Sequence, residues 1–485
     1  MADPSNSKKT LSLTQQGRDR AARPSVRTGP RARAAARATA APAPAGPIRT
    51  GPRPRTDTPP RPQRGTRTQP DLRPVATAAG EMFAVFAPCP HGLEQALADE
   101  LTKLGFTQVR PGRSGCHFAA DWRGVMRANL HSRLATRILV QVAEGQVTHE
   151  DDLLELAQTT PWERWFGARH TLRVDTSAIR SPMRSLQYCT LRTKDGICDR
   201  LRTVEGARPN VDTVRPDARV HLFLHETTAT LYLDTSGESL FKRGWRFDKG
   251  EAPLRENLAA GLLRLAGWDG TTDLIDPFCG SGTIVIEAAY LALGVPPGMA
   301  RPFAFERLRG HDAGQWAALK DEARAGVKSG LDIALIGSDS SAEAIAAAHR
   351  NAQRAGLGEG VIEFEVRDVR DIRPTARSGF IITNPPYGAR MSFGEHAKDT
   401  GQPCEQPEPL AAPADTETAA RLWREWSHTL KAHFDGWRVF VISSDRDLPQ
   451  HLRLTARRRT PVYNGALECR FFEFEVRAGS YRQKI

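Results

Sequence analysis

The sequence predicts an α/β protein in which an open, mostly parallel sheet fills the second half of the chain and a smaller α+β region precedes it. Three observations carry that expectation. From Leu254 onward, apolar runs of strand length alternate with segments of helical periodicity, the signature of strands joined by crossover helices. A glycine turn, "DPFCGSG", lies between the first of those strands and the helix that follows. Between Met82 and about Gly237, short strands and helices follow one another without that regular alternation.

The 485 residues begin with a low-complexity stretch of Arg, Ala, Pro, Thr and Gly that runs through about Gly80. Sixteen of the 68 basic residues and four of the 56 acids lie in these first 80 positions, so residues 1–80 carry the whole formal excess of +12 and the rest of the chain balances. With almost no apolar bulk, this segment cannot offset the entropy of ordering, and it is expected to be a disordered basic arm. As an arm it adds salt-sensitive, sequence-blind attraction to phosphates. An organelle-targeting role and a purely solubilising one remain alternatives.

Order is expected from Met82. "MFAVFAP" has strand length, and "GLEQALADELTKLGF" carries Leu93, Leu97, Leu101 and Leu104 at helical spacing. A strand in "HTLRVDTSA" (His170 to Ala178), a helix from Ser185 to Arg202 and a hairpin in "ARVHLFLHETTATLYLDTSG" follow. The domain boundary falls between about Gly237 and Pro253, dividing residues 81–237 from residues 238–485. Two interruptions mark the second domain: residues 294–330, a Pro/Gly loop with a helix, and residues 391–417, an acidic Pro/Ala-rich stretch expected to be a mobile loop.

No apolar run is long enough to cross a bilayer. The seven cysteines are scattered and never spaced as C-x-x-C. That pattern points to a reducing, cytoplasmic setting and away from a disulfide framework or a structural metal site.

The chemistry is expected at the strand ends. "TDLID" ends at Asp276, "IALIGSD" at Asp339, "VIEFEVRD" at Asp368 and "FIITN" at Asn384. In an open parallel sheet, ligands bind beyond the carboxyl ends of the strands, so these four side chains should converge. Gly280 and Gly282 allow positive φ and close approach of backbone N–H groups to a ligand. The turn by itself fits a dinucleotide, a nucleoside or no ligand, and neither phosphate-cradling motif is present. A nucleoside without phosphates to hold is then the ligand sought. Asp339 suits a ribose diol and Asp368 an adenine amino group, and S-adenosylmethionine offers both.

"TNPPYGAR" (Thr383 to Arg390) closes the fourth strand with two prolines that remove backbone donors. The Asn384 side-chain oxygen and the Pro385 carbonyl are then acceptors without a competing donor, and Tyr387 supplies a face for a planar base. Two acceptors on the hydrogens of an exocyclic amine would draw its nitrogen toward tetrahedral geometry and free the lone pair to attack a sulfonium methyl. Stacking on Tyr387 would add about 1–3 kcal/mol. No metal and no general base of raised pKa is required.

"DPFCGSG" and "NPPYGAR", preceded by "FKRGWRFDKGEAPLRENLAA", resemble the Rossmann-like class I domain of THUMP-containing RNA methyltransferases. The likeness is strongest to the guanine-N2 methyltransferase half of the fused bacterial 23S rRNA methyltransferase. It spans roughly residues 82–477, including "RSLQYCTLRTKDGICDRLR", "RPNVD" and "YNGALECR". The resemblance implies that Asp276, Pro277, Cys279, Gly280, Ser281 and Gly282, with Asp339 and Asp368, hold S-adenosylmethionine. It implies that Asn384, Pro385, Pro386 and Tyr387 hold the target amine, and that residues from about Arg243 to Asn257 help close the cofactor pocket. It further implies a ferredoxin-like unit and a THUMP domain between 82 and about 235, gripping RNA. Arg184, Tyr188, Arg192, Lys194 and Arg200, basic or aromatic residues in one helix-like stretch, suit phosphate contacts, with a solvated helix face as the alternative.

The expected activity is methylation of guanine N2 in RNA, foremost 23S rRNA, with tRNA as the second substrate and adenine N6 as the second target atom. Absence of the fused member's second methyltransferase domain, the basic tail and the 391–417 stretch set this sequence apart from that family member. A non-catalytic RNA-binding or assembly factor is the rival from another class. A nicotinamide enzyme is a distant one: its ribose acid lies about 20 residues past the glycine turn, whereas Asp339 lies 57 beyond Gly282. No membrane partner and no metal is expected, and the sequence is silent on oligomeric state.

Overall fold

In the segment Ala218–His225, Ala218, Val220, Leu222 and Leu224 are buried while the residues between them are less so. This is the period-two pattern of a strand with one packed face. The structure, a computed structural model, describes residues 80–248, 254–386 and 416–476. The basic tail and most of the 391–417 stretch lie outside the described residues.

The first region is built on strands β1 (Phe83–Pro88), β2 (Thr107–Gly112), β3 (Gly115–Ala120), β4 (Leu139–Gln146), β5 (Thr171–Ile179), β6 (Asn210–Val211), β7 (Ala218–His225) and β8 (Thr228–Asp234). They form a single sheet in the order β2-β3-β1-β4-β8-β7-β5-β6. The two units expected here therefore share one sheet, joined where β4 pairs antiparallel with β8, from Leu139 opposite Asp234 to Gln146 opposite Thr228. The helix expected from Ser185 spans Leu186–Glu205. Ser185 caps it by accepting from the Tyr188 N–H, and Gly206 ends it in the left-handed region, where glycine carries no Cβ penalty.

The second region holds β9 (Leu274–Asp276), β10 (Leu335–Asp339), β11 (Glu363–Val366), β12 (Phe380–Thr383), β13 (Arg438–Ser443), β14 (Ala456–Asn464) and β15 (Leu467–Glu475). Their order is β11-β10-β9-β12-β13-β15-β14. The first five are parallel, and β15 runs antiparallel between β13 and β14. Apolar residues of β9 and β12 alternate between two cores: Leu274 and Ile382 face one, Ile275 and Ile381 the other. The first of these cores continues without a break into the β1–β8 region.

Polar braces also cross between the regions. Arg243, fully buried, pairs with buried Glu287 at 3.1 Å and donates to the Arg133 carbonyl at 2.6 Å. Breaking one partner of such a pair leaves an uncompensated buried charge. The 294–330 insertion, with its helix at Ala313–Ala325, folds back onto the first region. Gly298 N–H donates to the Leu130 carbonyl at 3.0 Å, and Arg309 reaches the Glu163 carbonyl at 2.7 Å and the Glu205 carboxylate at 2.5 Å. Among the described residues, no helix is long and apolar enough to cross a membrane.

Candidate active site

The second chain half leaves β9 toward β10 and β11 on one side and returns to β12 and β13 on the other. That reversal opens a crevice beyond the carboxyl ends of β9, β10 and β12. Asp276 ends β9, Asp339 ends β10, and Asn384 follows the last residue of β12. β11 stops at Val366, so Asp368 lies two residues past its strand rather than on it. A hydrogen bond from Arg367 N–H to the Asp339 carbonyl at 3.0 Å holds that extension beside β10.

The glycine turn has the backbone its sequence requires. Gly280 and Gly282 have φ of 52° and 82°. A Cβ on Gly282 would press on Ala348 at 3.1 Å and Phe364 at 3.3 Å, whereas one on Gly280 would meet nothing within 4 Å. Gly282 is thus small for packing, and Gly280 borders open space where a ligand can approach the backbone. Asp339 holds the turn in place, accepting from Gly280 N–H at 3.1 Å and from Ser341 N–H at 2.9 Å. Each of its oxygens keeps acceptor capacity for a diol.

Asp276 lies inside the protein. It is buried beneath the turn and accepts from the Thr383 hydroxyl at 2.6 Å and from Phe278 N–H at 3.3 Å. Burial pushes its carboxyl up to about 7, with the Asp339 charge adding to the rise and the two hydrogen bonds opposing it. Burial likewise raises the Cys279 thiol well above its ordinary value, so that cysteine is packing rather than nucleophile. Phe278 sets its ring against Trp426 at 5.5 Å and Trp423 at 6.0 Å, on the helix Thr416–His433.

Asp368 is held by Arg370. The guanidinium donates to both carboxylate oxygens at 2.8 Å, and the Arg370 N–H donates to Oδ1 at 2.9 Å. These bonds hold its carboxyl below the usual range. With two donors on Oδ1 and one on Oδ2, the remaining free position is on Oδ2, enough for one amino hydrogen. Arg370 also donates to Glu425 at 3.0 Å, tying this acid to the helix beyond the 391–417 stretch.

At the fourth strand end, Thr383 and Pro385 are buried and Asn384 partly so. Asn384 Oδ1 is shut off from solvent and has no donor among the described residues. Such an unsatisfied buried acceptor costs about 1–3 kcal/mol. Tyr387 lies outside the described residues.

The segment before the first motif is partly in place. Asn351 donates to the Ser281 carbonyl at 3.0 Å and to the Asp248 carbonyl at 3.1 Å, clipping that segment onto the glycine turn. Asp248 is further paired with Arg350 and Arg354, which hold its carboxyl down to about 2. Thr383, Phe278, Arg370 and Asn351 carry no motif signal of their own; only their neighbours in space reveal them.

The five residues expected to contact phosphates are not one free cationic face. Arg192 pairs with Asp151, Arg200 with Glu163 at 2.5 Å, and Lys194 with Asp195 at 2.8 Å. Arg184 and Tyr188, at the start of the helix, are exposed. Among the described residues, no group of three His, Cys, Asp or Glu side chains is arranged to hold a metal ion.

Three family descriptions match along the chain: an RlmL ferredoxin-like domain over residues 84–139, a THUMP domain over 147–234, and an RMKL-like methyltransferase domain over 243–400. The chain thus matches, in order, a ferredoxin-like, a THUMP and a methyltransferase domain description. A protein of Shewanella baltica named ribosomal RNA large subunit methyltransferase K/L is 36% identical over 407 residues, which is 83% of this chain and 54% of that protein. The chain therefore spans about half the length of the curated relatives it matches. Among solved structures, a putative methyltransferase, SMU.472, complexed with SAH aligns with a TM-score of 0.71 and 25% identity, over 82% of this chain and all of that one. A possible methylase from Clostridium difficile 630 aligns equally well at 28% identity, over 83% of this chain and all of that one.

Proposed function

We propose that this protein transfers a methyl group from S-adenosylmethionine to the exocyclic N2 amine of a guanine in RNA, with large-subunit ribosomal RNA as the substrate. The observation that carries the reading is the orphaned Asn384 Oδ1 at the carboxyl end of β12, across the crevice from a glycine turn that leaves Gly280 open to a ligand. The name of the Shewanella relative and the THUMP match support RNA over DNA. The neighbour complexed with SAH supports the cofactor.

The residues fit the cofactor. Asp339 would hold its ribose hydroxyls, the free position of Asp368 Oδ2 its adenine amine, and Gly280 the close approach of its backbone. When bound, S-adenosylmethionine supplies an electrophilic methyl on a sulfonium. The chain's part is to prepare the nucleophile. Asn384 Oδ1 and the Pro385 carbonyl accept the two hydrogens of the amine, hold its nitrogen in the crevice and turn its lone pair out of conjugation with the ring. The proton can leave after transfer, so no base is required in the attacking step. A guanine inside a duplex cannot reach Asn384, and the target is therefore flipped out or single-stranded.

Tritium transfer from labelled cofactor to RNA tests the reading. Asn384→Ala is expected to abolish transfer while cofactor affinity stays within about threefold, since the lost contact is one to the amine. Equal loss of both would show that Asn384 serves the cofactor instead, and label confined to guanine-free RNA would overturn the base assignment.

A further inference from the structure

A second cavity opens on the same end of the methyltransferase sheet. β14 runs parallel to β12 and β13, because β15 between them is antiparallel. The β14–β15 turn at Asn464–Leu467 therefore lies at the carboxyl ends of the strands, with Asn384. Three strand spacings separate β14 from β12 in the sheet, roughly 14 Å. The helix Glu256–Ala266 leads through Gly267–Asp273 to the amino end of β9, so its first turn and Arg255 also sit at the carboxyl end. Between these elements and the loop after β1 is a cavity of about 180 Å³ lined by Pro90, His91, Arg255, Leu258, Tyr463 and Gly465.

Its walls are fixed. A Cβ on Gly92 would come within 2.7 Å of the Pro461 carbonyl oxygen, so the loop after β1 is pressed against β14. Gly92 adopts φ of 93°, which also favours glycine at this seam. The rings of His91 and Tyr463 meet edge to face at 5.2 Å, and Leu258 closes the floor as a buried side chain.

Arg255 is exposed, and no acid partners it among the described residues. Its guanidinium rests 5.1 Å from the centre of the Phe241 ring, which orients the cation without using its N–H groups for an ion pair. This differs from Arg192 and Arg200, whose guanidinium groups are spent on Asp151 and Glu163.

A small, walled recess that offers an aromatic edge, an apolar floor and a guanidinium with no acid partner among the described residues has the chemistry of a nucleotide subsite. The base packs on the rings and the phosphate takes the cation. We propose that this cavity binds a nucleotide of the RNA strand flanking the methylated guanine, with the base against Tyr463 and His91 and its phosphate on Arg255. The inference rests on the proposed RNA substrate and adds a grip that lies outside the THUMP region.

The test measures RNA binding and methyl transfer separately, using the full chain and 23S rRNA transcript. Tyr463→Leu is expected to weaken RNA binding by about fivefold or more, and Tyr463→Phe, which keeps the ring, to bind as the parent does. Arg255→Met is expected to weaken binding too, and to lower the slope of log K against log salt by about 0.7, the share of one phosphate on a single strand. Tyr463→Leu should leave that slope unchanged. Cofactor affinity should be the same in both Tyr463 variants. Binding within twofold of the parent for both Tyr463→Leu and Arg255→Met would overturn the subsite. So would equal losses in Tyr463→Phe and Tyr463→Leu, or an unchanged salt slope in Arg255→Met. If the parent binds RNA through this cavity but transfers no methyl to it, the subsite stands and the proposed activity falls.

Discussion

The carboxyl of Asp276 gives a prediction whose size follows from its surroundings. It is buried under the glycine turn, and burial lifts it from an ordinary 3.8 to about 7. Between those values the folded protein keeps a proton that the unfolded chain has released. Stability therefore falls as pH rises, by about 1.4 kcal/mol per unit, and the full cost is on the order of 4 kcal/mol by pH 8. Asp276→Asn removes the ionisation and keeps an oxygen to accept from the Thr383 hydroxyl and Phe278 N–H. An amide hydrogen left without an acceptor there would cost about 1–3 kcal/mol, an amount that does not vary with pH. The variant should thus gain on the parent as pH rises, with the difference moving in its favour by about 3 kcal/mol between pH 5 and pH 8. Unfolding of the ligand-free protein at pH 5, 6, 7 and 8, parent and variant side by side, measures that movement. A difference that is constant across these pH values would refute the reasoning, as would direct titration of Asp276 near 4.

Three further outcomes are expected. Asp339→Ala, which releases both the Gly280 and Ser341 N–H groups, should weaken cofactor binding at least about tenfold and leave RNA binding unchanged; equilibrium binding of each ligand checks it, and unchanged cofactor affinity would remove the ribose assignment. Thr383→Val cuts the 2.6 Å link between the ends of β12 and β9 and should lower kcat with little change in cofactor affinity, while Thr383→Ser keeps the hydroxyl and the rate; single-turnover transfer separates the two. Removing residues 1–79, which carry all of the chain's excess charge, should flatten the salt dependence of RNA binding without altering thermal unfolding, and an unchanged slope would assign those residues to another task.

The sheet that carries the site was legible because its strands are short apolar runs that stop at a polar residue. "TDLID", "IALIGSD" and "FIITN" each announce both a strand and what stands at its end, and the strands occupy Leu274–Asp276, Leu335–Asp339 and Phe380–Thr383. Asp368 was harder, since "VIEFEVRD" reads as continuous whereas β11 ends at Val366. What escaped the sequence is long-range. The merging of the first region into one sheet depends on β4 meeting β8, about 90 residues later, through backbone pairing that no side chain advertises. The fate of Arg192 and Arg200 depends on acids 41 and 37 residues away, so a helix that reads as basic is largely neutralised. The role of Thr383 was hidden for the same reason: a threonine before Asn-Pro-Pro-Tyr is unremarked until its partner at position 276, 107 residues upstream, is brought within 2.6 Å.

The central claim is that Asn384 holds a guanine amine of ribosomal RNA for methylation, and nucleoside mass spectrometry on rRNA and tRNA from cells with and without this gene tests it most directly. The account predicts that N2-methylguanosine is lost from 23S rRNA and is restored by the parent protein but not by Asn384→Ala. N2-methylguanosine unchanged in every RNA fraction would contradict it, and loss confined to tRNA would keep the chemistry while overturning the substrate.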